Sequence, residues 1–364
     1  MLGVADLSEY RRKRDPKRTP EPVPAEEALP KGDDDTFVIQ EHHARRLHWD
    51  VRFEREGVLV SWAVPKGLPP LPDTPRLAVH TEDHPLEYST FEGTIPAGEY
   101  GGGVMKIWDR GFYETLHWGD HKVEVVLHGS RVRGKYLFVN RHSQEEQRDW
   151  IVRRLDPPQR KDFAELPEFV QPMVPRKGNL PADDAEWAYE FLWAGERAQA
   201  RVEGGRLELR DADGHEITEL YPELKGLGEE LGSTEVLLDG ELIAMEDGRP
   251  SPAALSRRAE AADARAAKRL VTRTPVLYLP FDVLHLDGRS QLDQPYSRRR
   301  QRLRKLTLEG ESWRVPQHYV GGGEDVLAAA LDNGLTGITA KRLDSPYEPG
   351  KRSVNWRVVT RKGR

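Results

Sequence analysis

In the stretch LHWDVRF, residues 47–53, Leu47, Trp49, Val51 and Phe53 alternate with His48, Asp50 and Arg52. A period of two is that of a β-strand with two unlike faces, so an imidazole, a carboxylate and a guanidinium share the face expected to be wet. Side chains two apart on a strand stand about 6–7 Å from each other, close enough for His48 and Asp50 to lean onto one ion. His42 lies before the strand, across the turn HARR, and can fold back as a third donor. Two imidazoles and one carboxylate suit Mn, Fe, Zn or a similar divalent ion better than Mg, and leave positions open for water or substrate. Arg52 beside such an ion offers a rigid fork for phosphate oxygens. Downstream, Lys66 follows an apolar run in SWAVPKG, and RLAVHTEDHPLEY carries Arg76, Glu82, His84 and Tyr88. Lys66 and Arg76 would join Arg52 in neutralising a phosphate. His84 would act as general acid or transition-state donor, and Glu82 would orient a ligand histidine. His43 and His80 are read as ordinary histidines.

Those residues need a scaffold. From Thr36 to about Leu155 the chain is a series of short alternating runs broken by Gly and Pro: TFVIQ, LHWDVRF, VLVSWAV, RLAVHTE, GVMKIWDRG, KVEVVLHG and GKYLFVNR. Many short strands with frequent turns predict an all-β barrel or sandwich. GEYGGGV, residues 98–104, marks a tight turn or bulge. Residues 1–35 are rich in Pro and charge and read as an arm, ordered only where it packs on something. Residues 157–170 read as a linker. Beyond them, strand-like runs mix with helical ones: SPAALSRRAEAADARAAKRL with its Ser-Pro cap, the basic YSRRRQRLRKL, and DVLAAALDNG. This mixture predicts an α+β domain.

Length, composition and charge bound the rest. A chain of 364 residues suggests two domains, and 37% hydrophobic with 32% charged residues describes a polar-surfaced globular protein. No apolar run is long enough for a bilayer, and the N-terminus lacks a secretory pattern, so neither membrane insertion nor export is expected. Cysteine is absent, which excludes disulfides, thiolate metal sites and cysteine nucleophiles and fits a reducing cytoplasm. The net charge of −6 argues weakly against nucleic acid, but basic runs near both ends show that local distribution matters more.

The segments TFVIQEHHARRLHWDVRFEREGVLVSWAVPKG and RLAVHTEDHPLEYSTFEGTIPAGEYGGGVMKIWDRG closely resemble the 3′-phosphoesterase module of bacterial ligase D, from about Tyr10 to about Asp156. That family trims blocked 3′ ends of DNA with a manganese ion, removing a terminal phosphate or ribonucleotide. The resemblance implies that His42, His48 and Asp50 hold the metal. It implies that Arg14, Arg52, Lys66, Arg76 and His84 surround the scissile phosphate, with Tyr88 among the catalytic set. Asp15, Glu21, Gln40 and Glu82 match supporting positions. YRRKRDPKRTPEP also fits, so the arm is expected to fold over the site. The implied partners are DNA ends and, through the family, Ku and a repair polymerase or ligase, with the work done in the cytoplasm at the nucleoid.

The second half, from about Gln171, resembles the adenylation domain of ATP-dependent DNA ligases, a nucleotidyltransferase fold. The family pattern Glu-x-Lys-x-Asp-Gly-x-Arg falls on Glu190 to Arg197, with Leu192 at the nucleophilic lysine and Ala194 at the Asp. Thr336 stands at a metal-associated Glu, and Val358 and Thr360 stand at two phosphate-binding lysines. Asp239, Glu241, Phe281, Asp282, Arg197 and Lys341 remain. An aliphatic side chain cannot form the lysyl phosphoramide, so ligation and use of ATP are not expected. The expected organisation is a 3′-phosphoesterase barrel over 1–156 and a degenerate ligase-like domain over 171–364, without an OB-fold. A non-catalytic DNA-end-binding accessory is the alternative.

Overall fold

The computed structural model describes residues 6–24, 32–140, 148–261 and 263–361. The chain divides into two compact units, Met1–Phe163 and Ala164–Arg364. No helix among the described residues is long and apolar enough to cross a membrane.

The first unit opens with the helix α1 (Ser8–Arg12) and continues with β1 (Thr36–His43), β2 (Leu47–Arg55), β3 (Val58–Val64), β4 (Arg76–His80), β5 (His84–Pro85), β6 (Gly93–Ile95), β7 (Gly103–Gly119), β8 (Lys122–Gly129), β9 (Arg133–Asn140) and β10 (Asp149–Arg154). The strands pair in the order β1-β2-β3-β4-β10-β9-β8-β7, and β7 pairs back with β1. Eight strands therefore close into a barrel, which removes the exposed edges an open sheet would carry. β5 adds to β3 and β6 to β7. The odd-numbered apolar residues of β2 join the core, where Phe53 meets Trp62, Tyr113, Trp118 and Phe138 at centroid distances of 5.9, 5.0, 6.2 and 5.7 Å. The even-numbered His48, Asp50 and Arg52 occupy the opposite face.

That face is not wet. The segment from Leu7 to Val23 lies over it, with Tyr10 fully buried, and Asp50 and Arg52 are only 5% and 2% exposed. The alternation gave the side of the strand correctly. It could not reveal that a segment more than 20 residues upstream covers that side.

The second unit carries β11 (Val174–Lys177), β12 (Trp187–Phe191), β13 (Glu196–Glu203), β14 (Arg206–Asp211), α2 (Gly226–Leu231), β15 (Val236–Glu246), β16 (Arg249–Pro250), α3 (Pro252–Ala259), α4 (Ala264–Leu270), β17 (Val276–Leu286), β18 (Arg289–Ser290), α5 (Tyr296–Lys305), β19 (Tyr319–Val320), α6 (Gly323–Asp332), β20 (Gly337–Arg342) and β21 (Arg352–Thr360). One sheet runs β11-β21-β20-β12-β19 and a second runs β14-β13-β15-β17-β18 with β16 on β15. Sheets and helices mix as expected of an α+β domain. The Ala- and Arg-rich stretch is two short helices rather than one. The first is capped as its sequence predicts, with Ser251 Oγ accepting from Ala254 N at 3.2 Å and Pro252 in the first turn. In α5 the arginines are divided. Arg299 is buried against Asp282 and Arg300 reaches the carbonyl oxygens of Phe281 and Pro316, so these two are structural and not available to phosphates.

Candidate active site

The β1–β2 hairpin sets the geometry. Its antiparallel register places His42 opposite His48 and Gln40 opposite Asp50, while the β2–β3 register places Ser61 opposite Arg52. Directly opposed residues share a face and are close, so one hairpin brings His42, His48 and Asp50 together without a distant loop. One donor atom from each of the three lies within 4.8 Å of the others.

The hydrogen bonds fix which nitrogen faces the centre. His42 Nε2 lies 2.8 Å from the Gly101 carbonyl, so Nε2 carries the proton and Nδ1 a lone pair. His48 Nδ1 lies 2.9 Å from the Arg46 carbonyl, so Nδ1 carries the proton and Nε2 a lone pair. These two lone-pair nitrogens are 3.1 Å apart, and the Asp50 oxygens lie 3.5 Å from His42 Nδ1 and 3.6 Å from His48 Nε2. Three electron-rich atoms converge with no hydrogen between the two nitrogens, an arrangement that calls for a cation. Donors bound at roughly 2.0–2.1 Å to one metal stand roughly 3.0–3.4 Å apart, so the observed spacing fits a divalent ion with little movement. Each imidazole's outer N–H is held by a backbone carbonyl, the usual way a protein orients ligand histidines.

Arg52 is fixed on three sides. Nε donates to Gln40 Oε1 at 2.8 Å, Nη1 to Ser61 Oγ at 2.9 Å and Nη2 to Asp50 Oδ2 at 2.9 Å. Gln40 is itself held through Nε2 by the carbonyls of Tyr88 and Phe91. Three of the five guanidinium N–H groups are thus committed and two are left over. Burial opposes the charge on Asp50, but the Arg52 guanidinium beside it outweighs this and holds the carboxyl well below the usual carboxylate range.

The arm supplies the second cation. Arg14 Nε donates to Glu21 at 2.8 Å, Nη1 to Glu82 at 3.1 Å, and Nη2 lies 3.4 Å from His84 Nε2. Glu21 is completed by Thr19 at 2.6 Å and by the Tyr88 hydroxyl at 3.0 Å. Tyr10, Tyr88 and His84 form an edge-to-face cluster, and the Tyr88 ring lies under Arg52 at 4.9 Å. The arm therefore folds over the site as the resemblance implies. Sequence reasoning missed Tyr10, Lys13, Thr19 and Ser61 as partners. Tyr10 and Lys13 lie inside the matching YRRKRDPKRTPEP and Ser61 inside SWAVPKG, and only tertiary contact gives them a function.

The loop GEYGGG is explained by crowding. A Cβ on Gly102 would approach the Pro96 carbonyl to 2.9 Å, and one on Gly103 would stand 2.4 Å from the His43 carbonyl. Gly101, at φ +76°, turns its carbonyl toward His42. The glycines let this loop press against the hairpin that carries the three converging donors.

Five expectations are corrected. Arg76 braces the turn that carries Lys66: its Nη1 donates to the carbonyl of Lys66 and, at 3.4 Å, to those of Gly67 and Leu68. Tyr88 is a positioning residue, buried and bonded to Glu21. Asp15 is exposed and caps its own turn, accepting from Lys17 N at 2.9 Å. His84 is not a proton donor in this arrangement. Its Nδ1 donates to the Glu82 carbonyl at 2.8 Å, and burial with the Arg52 and Arg14 charges pushes the ring well below the ordinary histidine range, so it is neutral. Glu82 acts on Lys13, Arg14 and, through its backbone, His84, and not on a ligand histidine.

A second donor group, Asp211, Asp213 and His215, lies on a turn of the second unit. Asp211 Oδ1 accepts from the backbone N–H of Asp213 and His215, each at 2.9 Å, as a turn-closing carboxylate does, and Oδ2 lies 3.1 Å from His215 Nδ1.

Between its two sheets the second unit holds a cleft of about 160 Å³, lined by Glu190, Leu192, Trp193, Arg197, Glu241, Phe281, Thr339, Lys341, Trp356 and Val358 among others. Its cations face inward to protein partners. Lys341 Nζ is 2.7 Å from Glu190 and 3.9 Å from the Phe281 ring, and Arg197 is paired with Asp239. Leu192 and Val358 add aliphatic wall where the ligase pattern has lysines. Ala194 sits at φ +55°, a left-handed conformation that Asp or Asn adopts more readily than Ala.

Residues 40–140 match the family described as DNA Ligase D 3′-phosphoesterase domain, and residues 170–358 match the ATP dependent DNA ligase domain. The multifunctional non-homologous end joining DNA repair protein LigD of Mycobacterium tuberculosis is 41% identical over 360 residues, covering 97% of this chain and 45% of that protein. The LigD of Pseudomonas aeruginosa is 32% identical over 409 residues, covering 98% and 47%. A DNA ligase of Natronomonas pharaonis is 35% identical over 196 residues, covering 51% and 35%. The chain thus spans a little under half the length of the two LigD relatives.

Proposed function

This chain belongs to the family of the ATP-dependent DNA ligase domain, joins it to a ligase D 3′-phosphoesterase domain and is homologous to LigD proteins; from that premise we propose that its first unit is a metal-dependent hydrolase that heals DNA 3′ ends, and that its second unit does not ligate. The substrate in this reading is a DNA end blocked by a 3′-phosphate or 3′-ribonucleotide. The setting is double-strand break repair by end joining in the cytoplasm, at the nucleoid, with Ku and a repair polymerase or ligase as partners. Manganese is the metal of first choice.

The observation that carries the reading is the convergence of His42 Nδ1, His48 Nε2 and an Asp50 oxygen, with a phosphate-binding fork beside it. His42, His48 and Asp50 would hold the ion, which when bound supplies positive charge to the phosphoryl oxygens and acidifies a water. The two uncommitted N–H groups of Arg52 bind the phosphoryl oxygens and strengthen their hold as charge builds in the transition state. Arg14 adds a second positive charge. Held between Glu21 and Glu82, it keeps its place without substrate. His84 accepts from Arg14 and orients it. Water attacks phosphorus, the bond to the 3′ oxygen breaks, and the products are a 3′-hydroxyl and inorganic phosphate.

For the second unit, Leu192 removes the nucleophile, and Thr336, Val358 and Thr360 remove the groups that would steady metal and phosphate. Lys341 and Arg197 are committed to Glu190 and Asp239, which speaks against ATP use. One experiment tests both parts. A primer-template with a 3′-phosphate, given with and without manganese, should release phosphate only with metal. Nicked DNA with ATP should give neither sealing nor an enzyme–AMP adduct. DNA binding without phosphate release under any divalent metal would leave the accessory reading in place of the enzyme.

A further inference from the structure

The tip of the β1–β2 hairpin carries Arg45 and Arg46, both exposed and neither with a side-chain partner among the described residues. Most other cations near the site are engaged: Arg52 with Asp50, Arg14 with Glu21 and Glu82, Lys13 with Glu9 and Glu82, Arg18 with Glu99. The two acids nearest the tip in sequence are both engaged, Glu41 with His43 at 2.6 Å and Asp50 with Arg52 at 2.9 Å. In a chain of net charge −6, two adjacent uncompensated guanidinia stand on the turn that orients a donor histidine, since the Arg46 carbonyl holds His48 Nδ1.

The opening of the site points the same way. The His48 side chain is 21% exposed, against 6% for His42 and 7% for Asp50, so the cluster meets solvent on the hairpin side. A nucleic-acid strand that enters from that side would pass the tip before its 3′ end reaches the cluster. Arg46 lies two residues before His48 on the turn itself, and its carbonyl oxygen is 2.9 Å from His48 Nδ1, so the tip directly adjoins the donor cluster. The backbone behind the tip is firm, because Gly103 packs against the His43 carbonyl and Ala44 Cα.

We propose that Arg45 and Arg46 form a clamp for the internucleotide phosphate adjoining the 3′ terminus, so that the site selects a nucleic-acid strand over a free phosphomonoester. This rests on the 3′-end-healing reading and adds the register of the strand on the surface. Phosphate contacts of this kind fix register and carry no base preference.

The test uses the full chain and compares Arg45→Ala/Arg46→Ala with the charge-matched control Arg131→Ala/Arg153→Ala, whose residues are exposed elsewhere on the barrel. Binding of a labelled duplex with a recessed 3′-phosphate is followed by anisotropy against KCl. The hairpin variant should lose about 1–2 from the slope of log K against log salt and bind roughly tenfold more weakly at low salt, while the control keeps the parent slope. With manganese, KM for the duplex should rise by the same factor at unchanged kcat, and hydrolysis of p-nitrophenyl phosphate should not change. An unchanged slope and KM, or a loss shared by the control, overturns the clamp. A fall in kcat on p-nitrophenyl phosphate also overturns it, because the tip would then act through His48. Failure of the underlying reading shows separately, as no phosphate release by the parent protein from any substrate, and the anisotropy measurement still decides the clamp in that case.

Discussion

The convergence of two lone-pair nitrogens and a carboxylate can be tested without any substrate. An ion that binds only the folded chain stabilises it by RT ln(1 + [L]/Kd), about 2.7 kcal/mol when free metal is a hundred times Kd. For a unit of roughly 160 residues, each kcal/mol moves the melting temperature about 2–4 °C, so saturating manganese should raise the transition of the first unit by about 5–11 °C. His48→Ala is the informative variant. His48 is the most exposed of the three donors, at 21%, so its loss opens only a small cavity and the fold should survive. A variant that binds a hundredfold more weakly retains only about 0.4 kcal/mol of stabilisation at the same metal concentration, roughly 1 °C. The assay is thermal unfolding against manganese, with electron paramagnetic resonance counting bound ions. Asp211→Asn serves as control for the second donor group and should leave the shift intact. The reasoning fails if neither manganese, zinc, cobalt nor nickel moves the parent's transition. It fails equally if His48→Ala shifts as much as the parent.

Other expectations follow from single contacts. Arg52→Lys keeps the charge but strands the buried Gln40 and Ser61 acceptors; unfolding by urea should show a loss of about 2–4 kcal/mol, and kcat/KM on a 3′-phosphate end should drop at least a hundredfold. Asp83 lies in a separate cavity of the first unit, and burial raises its carboxyl from 3.8 to about 6. The folded form binds the proton more tightly, so this group's contribution is full below pH 4 and is lost as pH rises to about 6; Asp83→Asn should therefore stabilise by roughly 3 kcal/mol at pH 8 and be neutral near pH 4, as read by denaturant midpoints. Leu192→Lys should not restore an enzyme–AMP adduct, because Val358, Thr360 and Thr336 still leave phosphate and metal unsupported; a labelled-ATP adduct assay that turns positive would refute this.

By itself the sequence settled matters that depend on local periodicity and side-chain chemistry. The two-residue alternation of LHWDVRF placed His48, Asp50 and Arg52 on one face, and a hairpin this short leaves His42 little choice but to pair opposite His48. Runs such as TFVIQ and KVEVVLHG are strands in the folded chain, and the aliphatic side chain of Leu192 cannot itself form a phosphoramide in any conformation. The tertiary structure decided what local pattern does not encode. Closure of the sheet depends on β7 returning to β1, a pairing between strands 60 and more residues apart. The supposedly wet face became a buried site because the arm brought Tyr10, Arg14 and Glu21 over it. Arg76 and Arg52 are the same residue type in matching family positions, yet one braces a turn and the other faces the donors. The reason is physical: a guanidinium's function is set by which acceptors lie within about 3 Å of it, and those acceptors come from remote parts of the chain. For His84 the same neighbours fixed the protonation state, since burial beside two arginines leaves the ring neutral where its type alone permitted either form.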